Sequence, residues 1–311
     1  MTISSEAGAD GALDPGLGVI MNERRQLLGL AYRLLGSLAD AEDVVQETYT
    51  RWYAMTPARQ RAIETPAAWL TKVASRICLD QLGSARARRE QYVGEWLPEP
   101  LPGHSDWIGG RSHPAVGDPA DHITLDESIN MAFLVVLESM TPAERVAFVL
   151  HDVFRYPFPE VADIVGRTPA ACRQLATSAR RRLRALRTAP APSAQHTAVI
   201  RNFKQAWEAK DIDALIGLLD PDATGISDGG GLASAAPPTG GGEQIARHLV
   251  FLMSRAPEMK LLERTVNGQP GLVVQLYGVT MTVMSFDVTN GRIKHFWAVR
   301  NPEKLRPWTG C

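Results

Sequence analysis

The sequence predicts a multidomain chain in which two all-α units precede an α+β unit. Three observations carry that prediction. Apolar residues recur at helical spacing from Arg24 to Leu82. A second helical block, 123–188, holds two helices joined by a Gly-bearing turn. Beyond Gln195 helices give way to an alternating, β-branched stretch, Gly271 to Asn301, with an Asn-Gly turn at Asn290 and Gly291. A chain of 311 residues suits two or three domains, and 45% hydrophobic with 22% charged residues describes a soluble globular protein with real cores.

Composition narrows the class further. No apolar run approaches the roughly 18 residues that span a bilayer, and the start lacks a basic-then-apolar signal pattern, so a cytoplasmic protein with no membrane partner is expected. Cys78, Cys172 and Cys311 lie far apart and outside any Cys-x-x-Cys or Cys/His spacing, which predicts reduced structural thiols, no metal site and no cofactor. The net charge of -1 hides a local separation. SARARR (Ser84 to Arg89) and SARRRLRALR (Ser178 to Arg187) are basic, while the helix from Asp40 is acidic. Clustered cations release counterions from phosphates, so basic blocks in a neutral total predict weak DNA binding by the chain alone.

Taken in order, residues 1–20 are Gly, Ala, Ser and Asp rich and predict a disordered tail, with Met21 a second candidate start. The first helical domain spans 21–92. RRQLLGLAYRLLG (Arg24 to Gly36) is amphipathic, and Ser37 with Asp40 makes a capping-box-like start after the Gly36 break. In DAEDVVQETYTRWY, Asp40, Asp43 and Glu47 share one stripe, while Val45, Tyr49 and Trp52 form an apolar one. An ordinary surface helix has the same features, since acids favour helix N-termini and Glu47 can pair with Arg51. TPAAWLTKVASRICLDQL (Thr65 to Leu82) opens on Thr-Pro and runs into a basic end, with an expected end or kink at Gly83.

Residues 93–122 are dense in Pro and Gly and predict an extended linker, with Trp96 in WLPEP anchoring onto a domain or contacting a partner. In 123–188, Thr141 to Glu144 is a capping box that opens a helix through Leu150. Pro157 to Gly166 is a short helix, and Thr168 caps a longer one, with Val161, Ile164 and Val165 facing Ala171, Leu175 and Ala179. A plain helical hairpin is the alternative to a helix-turn-helix. The arginines of the second helix favour the latter, with Arg173 and Gln174 reading base edges and Arg180 and Arg181 meeting phosphates.

The succession of short helix, acidic helix, Trp-bearing helix and basic tail resembles region 2 of the extracytoplasmic-function sigma factors, bacterial promoter-recognition subunits, with DAEDVVQE as its marker. The resemblance implies that Asp40, Asp43, Gln46 and Glu47 dock on the clamp helices of the beta-prime subunit of core RNA polymerase. It further implies that Trp69, Lys72, Arg76, Arg86, Arg88 and Arg89 bind the minus-ten element of promoter DNA. The helix-turn-helix resembles region 4, which implies contact with the minus-thirty-five element and the beta flap. Ser178 departs from the basic residue common in the family, and Gly83 from arginine.

A Pro/Ala linker, 189–195, leads into 196–311. The first helix there ends near Lys210, Asp211 caps a second, and GEQIARHLVFLMSRAP is a third. Helices followed by strands predict an α+β layer, and the pattern resembles the SnoaL-like cone, a curved sheet wrapped by helices around a pocket. That scaffold hosts enzymes and binding modules alike. Asp228, His248, Asp287 and His295 are the candidate pocket acids and bases, but no acid lies between Trp297 and Asn301, and DGGG reads as a flexible conformational element, so no catalytic residue is assigned. With WLPEP, DGGG and NPEKL, nearly the whole chain resembles sigma factors carrying a fused SnoaL-like domain, the sigma-J type included. The resemblance implies regulatory contacts by Trp96, Asp228, Gly229, Gly230, Gly231, Asn301, Pro302 and Lys304, with Glu303 where the family has Asp. An unknown small molecule in the C-terminal pocket is a further partner to consider. Two rivals remain: a one-component regulator sensing a small molecule, and a DNA-tethered SnoaL-like enzyme. Both leave the Asp40 helix without a role.

Overall fold

The computed structural model describes residues 15–90, 92–103, 125, 127–186, 193–235 and 238–309. Helices come first: α1 (Pro15–Leu35), α2 (Leu38–Tyr53), the short α3 (Pro57–Arg61) and α4 (Pro66–Glu90). Helix α1 takes in residues 15–20, which the composition left in the tail; the tail's residues 1–14 lie outside the described residues. Gly36 breaks the chain with φ 70°, and Ser37 then caps α2, its Oγ accepting from Asp40 N at 3.3 Å. Helix α4 runs straight through Gly83, against the expected end. Its neighbours Ser84 to Glu90 include Ala and Arg, strong helix formers that outweigh one glycine's cost of about 1 kcal/mol.

After residues 92–103 and a 3-10 turn at Glu127–Ile129 come α5 (Met131–Glu138), α6 (Pro142–Phe148), α7 (Phe158–Val165) and α8 (Pro169–Leu186). Thr141 and Glu144 close a reciprocal capping box at α6. The helix expected through Leu150 instead changes at Val149 into a π turn to Val153, which sets Asp152 inside. Gly166, with φ 71°, ends α7 in the left-handed conformation that glycine adopts freely. Cys172, Ala176, Ala179 and Leu183 line the buried seam of α8, so the face is rotated from Ala171, which stays half-buried. The side chains of both helical blocks share one core, from Leu27 in α1 through Phe133 and Phe148 to Leu183. The two helical units therefore pack as one body.

The last unit holds α9 (Ser193–Ala209), α10 (Ile212–Leu218), β1 (Leu219–Asp228), β2 (Thr239–Gly240), α11 (Gly242–Arg255), β3 (Met259–Val266), β4 (Gln269–Leu276), β5 (Val279–Thr289) and β6 (Arg292–Val299). Residues 193–195, expected in the linker, open α9. The six strands form one sheet in the order β2-β1-β6-β5-β4-β3, with β1 parallel to β6 and the other pairs antiparallel. This is the α+β, SnoaL-like cone that the pattern implied. One face packs on α9, α10 and α11 through residues such as Leu272, Val274, Met284 and Phe286. Alternate residues Val273, Val283, Trp297 and Val299 point the other way, onto Leu97, Met131, Leu305 and Trp308. The sheet is thus buried on both faces, the second against the helical body.

Candidate functional site

The expected contact groups fall into three places. On α2, Asp43, Gln46 and Glu47 are exposed and Asp40 is half-buried, while Val45 is buried and Tyr49 and Trp52 pack partly on the helical core. Glu47 and Arg51 form the i,i+4 pair at 2.8 Å. The four candidates make one open acidic face.

On α4, Trp69 is half-buried against that core and its ring lies 5.3 Å from Trp52. Lys72 and Arg76 turn toward the other helical block. Lys72 Nζ is 3.3 Å from Asp163 Oδ2, and Arg76 donates to the Asp163 carbonyl at 2.7 Å. Arg86, Arg88 and Arg89 continue the helix, and their side chains lie outside the described residues. On α8, Arg173 and Gln174 are exposed near the helix start, the Arg173 guanidinium 5.4 Å from the Phe158 ring centre. Arg181 is exposed too, but Arg180 is bonded inward to Asp152 at 2.6 Å. Burial raises the Asp152 carboxyl and the Arg180 charge opposes it. Ser178 donates to Glu144 at 2.8 Å, where burial works to raise Glu144 and bonds from Thr141 and Ser178 outweigh it to lower the group.

The third place is where the linker meets the cone. Asp228 is the last residue of β1 and fully buried, which corrects the flexible loop read from DGGG: parallel pairing with β6 extends the strand through Val299. Its carboxylate accepts from Tyr92 Oη at 2.6 Å, Leu97 N at 3.0 Å, Gly230 N at 3.0 Å and Lys304 Nζ at 2.7 Å. Lys304 Nζ also donates to the Leu97 carbonyl at 2.5 Å and lies 4.2 Å from the Trp96 ring centre. Asn301 donates to Tyr92 Oη at 2.9 Å, and burial chiefly, then the Asp228 bond, raises the Tyr92 hydroxyl. Gly230 has φ 62°, and a Cβ there would fall on the Asn301 amide. Gly229 accepts from Ala233 N at 2.9 Å, and Gly231 packs on Val93. Pro302 is exposed, its carbonyl accepting from Leu305 N at 3.3 Å.

Residues 97–101 of the expected linker are accordingly buried, and its residues 104–122 lie outside the described residues. Sequence reasoning missed the partner that holds their far end. Asn267, fully buried in the β3–β4 turn, accepts from Leu101 N at 2.9 Å and donates to Tyr32 Oη at 2.8 Å and the Ile129 carbonyl at 2.9 Å. The Asn267-Gly268 pair is a turn signal, but nothing local says that the amide ties three segments. Among the pocket candidates, His248 lines a cavity of about 530 Å3 in the cone, whereas Asp228, Asp287 and His295 do not. His295 is bonded to Thr224 at 2.6 Å, and burial lowers its pKa.

The chain is similar to known proteins over most of its length. Residues 19–88 match the family described as Sigma-70 region 2, and residues 130–183 match Sigma-70, region 4. The ECF RNA polymerase sigma factor SigJ of Mycobacterium tuberculosis is 37% identical over 299 residues, covering 91% of this chain and 90% of the relative. The probable ECF RNA polymerase sigma factor SigI of the same species is 33% identical over 295 residues, covering 94% and 96%. The crystal structure of M. tuberculosis SigJ is similar with a TM-score of 0.73 at 33% identity, covering 94% of this chain and 98% of that one.

Proposed function

The chain belongs to the extracytoplasmic-function RNA polymerase sigma factors, and we propose that its cone clamps the linker to hold the helical body in a closed state. As a family member it is a promoter-specific transcription initiation factor that binds core RNA polymerase and promoter DNA, not an enzyme. In the proposed reading, Asp40, Asp43, Gln46 and Glu47 dock on the beta-prime clamp helices, and α8 lies near the beta flap. Arg173, Gln174 and Arg181 read or hold the minus-thirty-five element. Trp69, Lys72, Arg76 and the basic end of α4, with Arg86, Arg88 and Arg89, take the minus-ten element.

The observation that carries the clamp is the Asp228 carboxylate, which with Lys304 grips both the amide and the carbonyl of Leu97. Trp96, Gly229, Gly230, Gly231 and Asn301 pack or bond around it, and Pro302 shapes the NPEKL turn. Lys72 and Arg76 are turned to Asp163 in this arrangement, which supports a form in which the minus-ten groups are occupied. Lys72 and Asp163 are exposed enough that their pair contributes under about 1 kcal/mol, so the clamp and the shared core carry the closed state.

Transcription in vitro with core polymerase tests this, using a promoter from the gene's own upstream DNA, the full chain, its Asp228→Asn variant and a chain cut after Arg187. The full chain is expected to be the least active and Asp228→Asn more active. Equal activity of all three forms would remove the clamp from regulation while leaving the sigma function intact.

A further inference from the structure

The cone holds a cavity between α11 and the sheet. Its volume of about 530 Å3 lies within the range of roughly 300 to 1,000 Å3 that small-molecule sites occupy. Trp207, Leu249, Met284 and Phe296 give it an apolar wall between α11 and the sheet. Among its described lining residues the only ionisable groups are His248 and Arg300, and none is a carboxylate. Arg300 is half-buried and donates to the Ser234 carbonyl; among the described residues no carboxylate pairs with it. Burial accordingly lowers its pKa, the sign of a desolvated cation without an opposite charge.

We propose that this cavity binds an apolar monoanion, a carboxylate or sulfonate on a hydrocarbon or aromatic body, with Arg300 meeting the anion. A cation would meet the like charge of Arg300 and no carboxylate among the described lining residues, and a neutral body would leave the guanidinium uncompensated. The same residue joins the cavity to the clamp. Arg300 N donates to the Asp228 carbonyl at 2.7 Å, and Ser227, next to Asp228, also lines the cavity. The Ser234 carbonyl that Arg300 holds follows the Gly229–Ala233 turn, whose Gly231 packs on Val93. An anion drawing Arg300 away from Ser234 loosens that turn against the linker. The binding site stands by itself; its regulatory consequence rests on the clamp reading.

The test is calorimetric titration of the full chain with decanoate, decanol and decylammonium. Decanoate is expected to bind one site about ten-fold or more tightly than decanol, as a charge-assisted bond predicts, and decylammonium not at all. Arg300→Gln should bring decanoate to within about two-fold of decanol, and Leu276→Trp, placed in the cavity wall, should weaken both. Circular dichroism checks that each variant is folded. Undiminished decanoate binding by both variants, a preference for decylammonium, or no binding of any of the three by the unaltered chain would overturn the site. Hydrogen exchange at the Leu97 amide reads the coupling separately: it should quicken with saturating decanoate, and unchanged exchange despite binding would overturn the coupling and leave the ligand site standing.

Discussion

Glu99 lies in the middle of the clamped segment, 7% exposed, with Oε2 accepting from Leu38 N at the start of α2 at 2.8 Å. Burial raises its pKa above the ordinary 4.5, more than the Leu38 bond and the Lys304 charge lower it. A raised folded-state pKa means that the folded chain holds the proton more tightly than the unfolded one. The resulting stability is present below pH 4.5 and is lost as pH rises through the folded value. Glu99→Gln keeps an acceptor for Leu38 N and removes the titration. Urea unfolding at several pH values should therefore find the variant more stable relative to the parent near pH 7, with the difference fading toward pH 4.5. A pH-independent difference would place the raised pKa in the unfolded chain as well. At the same scale Asp228 shows what sequence withholds. Followed by three glycines it reads as a loop acid, and only the four hydrogen bonds that its carboxylate accepts from residues 92, 97, 230 and 304 make it a buried hub.

Elements were more legible than single side chains, for a physical reason. The acidic face of α2 follows from period and capping alone, and so does its exposure, because the apolar stripe fixes which side turns inward. Charge reversal of Asp43 and Glu47 touches no core residue, so Asp43→Lys with Glu47→Lys should weaken binding to core polymerase and leave the thermal midpoint nearly unchanged. Unchanged affinity would remove α2 from the interface. Capping and the Gly166 turn likewise set α7 and α8 in sequence, and Arg173 is free of carboxylate partners among the described residues. Arg173→Ala should lose about 1 to 3 kcal/mol of preference at one upstream base pair in a binding assay over variant sites. A uniform loss over all sites would make it a phosphate contact. By contrast, Leu219–Asp228 carries Asp, Pro and Gly in a turn-like string, and it is a strand only because β6 pairs beside it and α11 covers Ala223. Tertiary pairing of that kind has no local signal.

The whole molecule is joined by apolar burial as well as by polar bonds. On β4, Leu272, Val273 and Val274 are buried in succession, which only a sheet covered on both faces permits. The helices of the cone cover one face; Leu97, Met131, Leu305 and Trp308 cover the other. Asn267 sits at the rim of that second interface and bonds to α1, the linker and the 3-10 turn together. Removing its side chain strands the Leu101 amide and the Ile129 carbonyl in a buried place, a cost of about 1 to 3 kcal/mol for each unsatisfied group. The groups it joins, on Tyr32, Leu101 and Ile129, belong to residues of the helical body's core, whereas Asn267 comes from the β3–β4 turn of the sheet, so the cost falls on the joint between the two. The parent chain should therefore unfold in one calorimetric transition, and Asn267→Ala should split off an earlier one in which the cone parts from the helical body. If the variant instead unfolded in a single transition at the parental midpoint, the joint would rest on the apolar face, and the amide would be only a bystander to it.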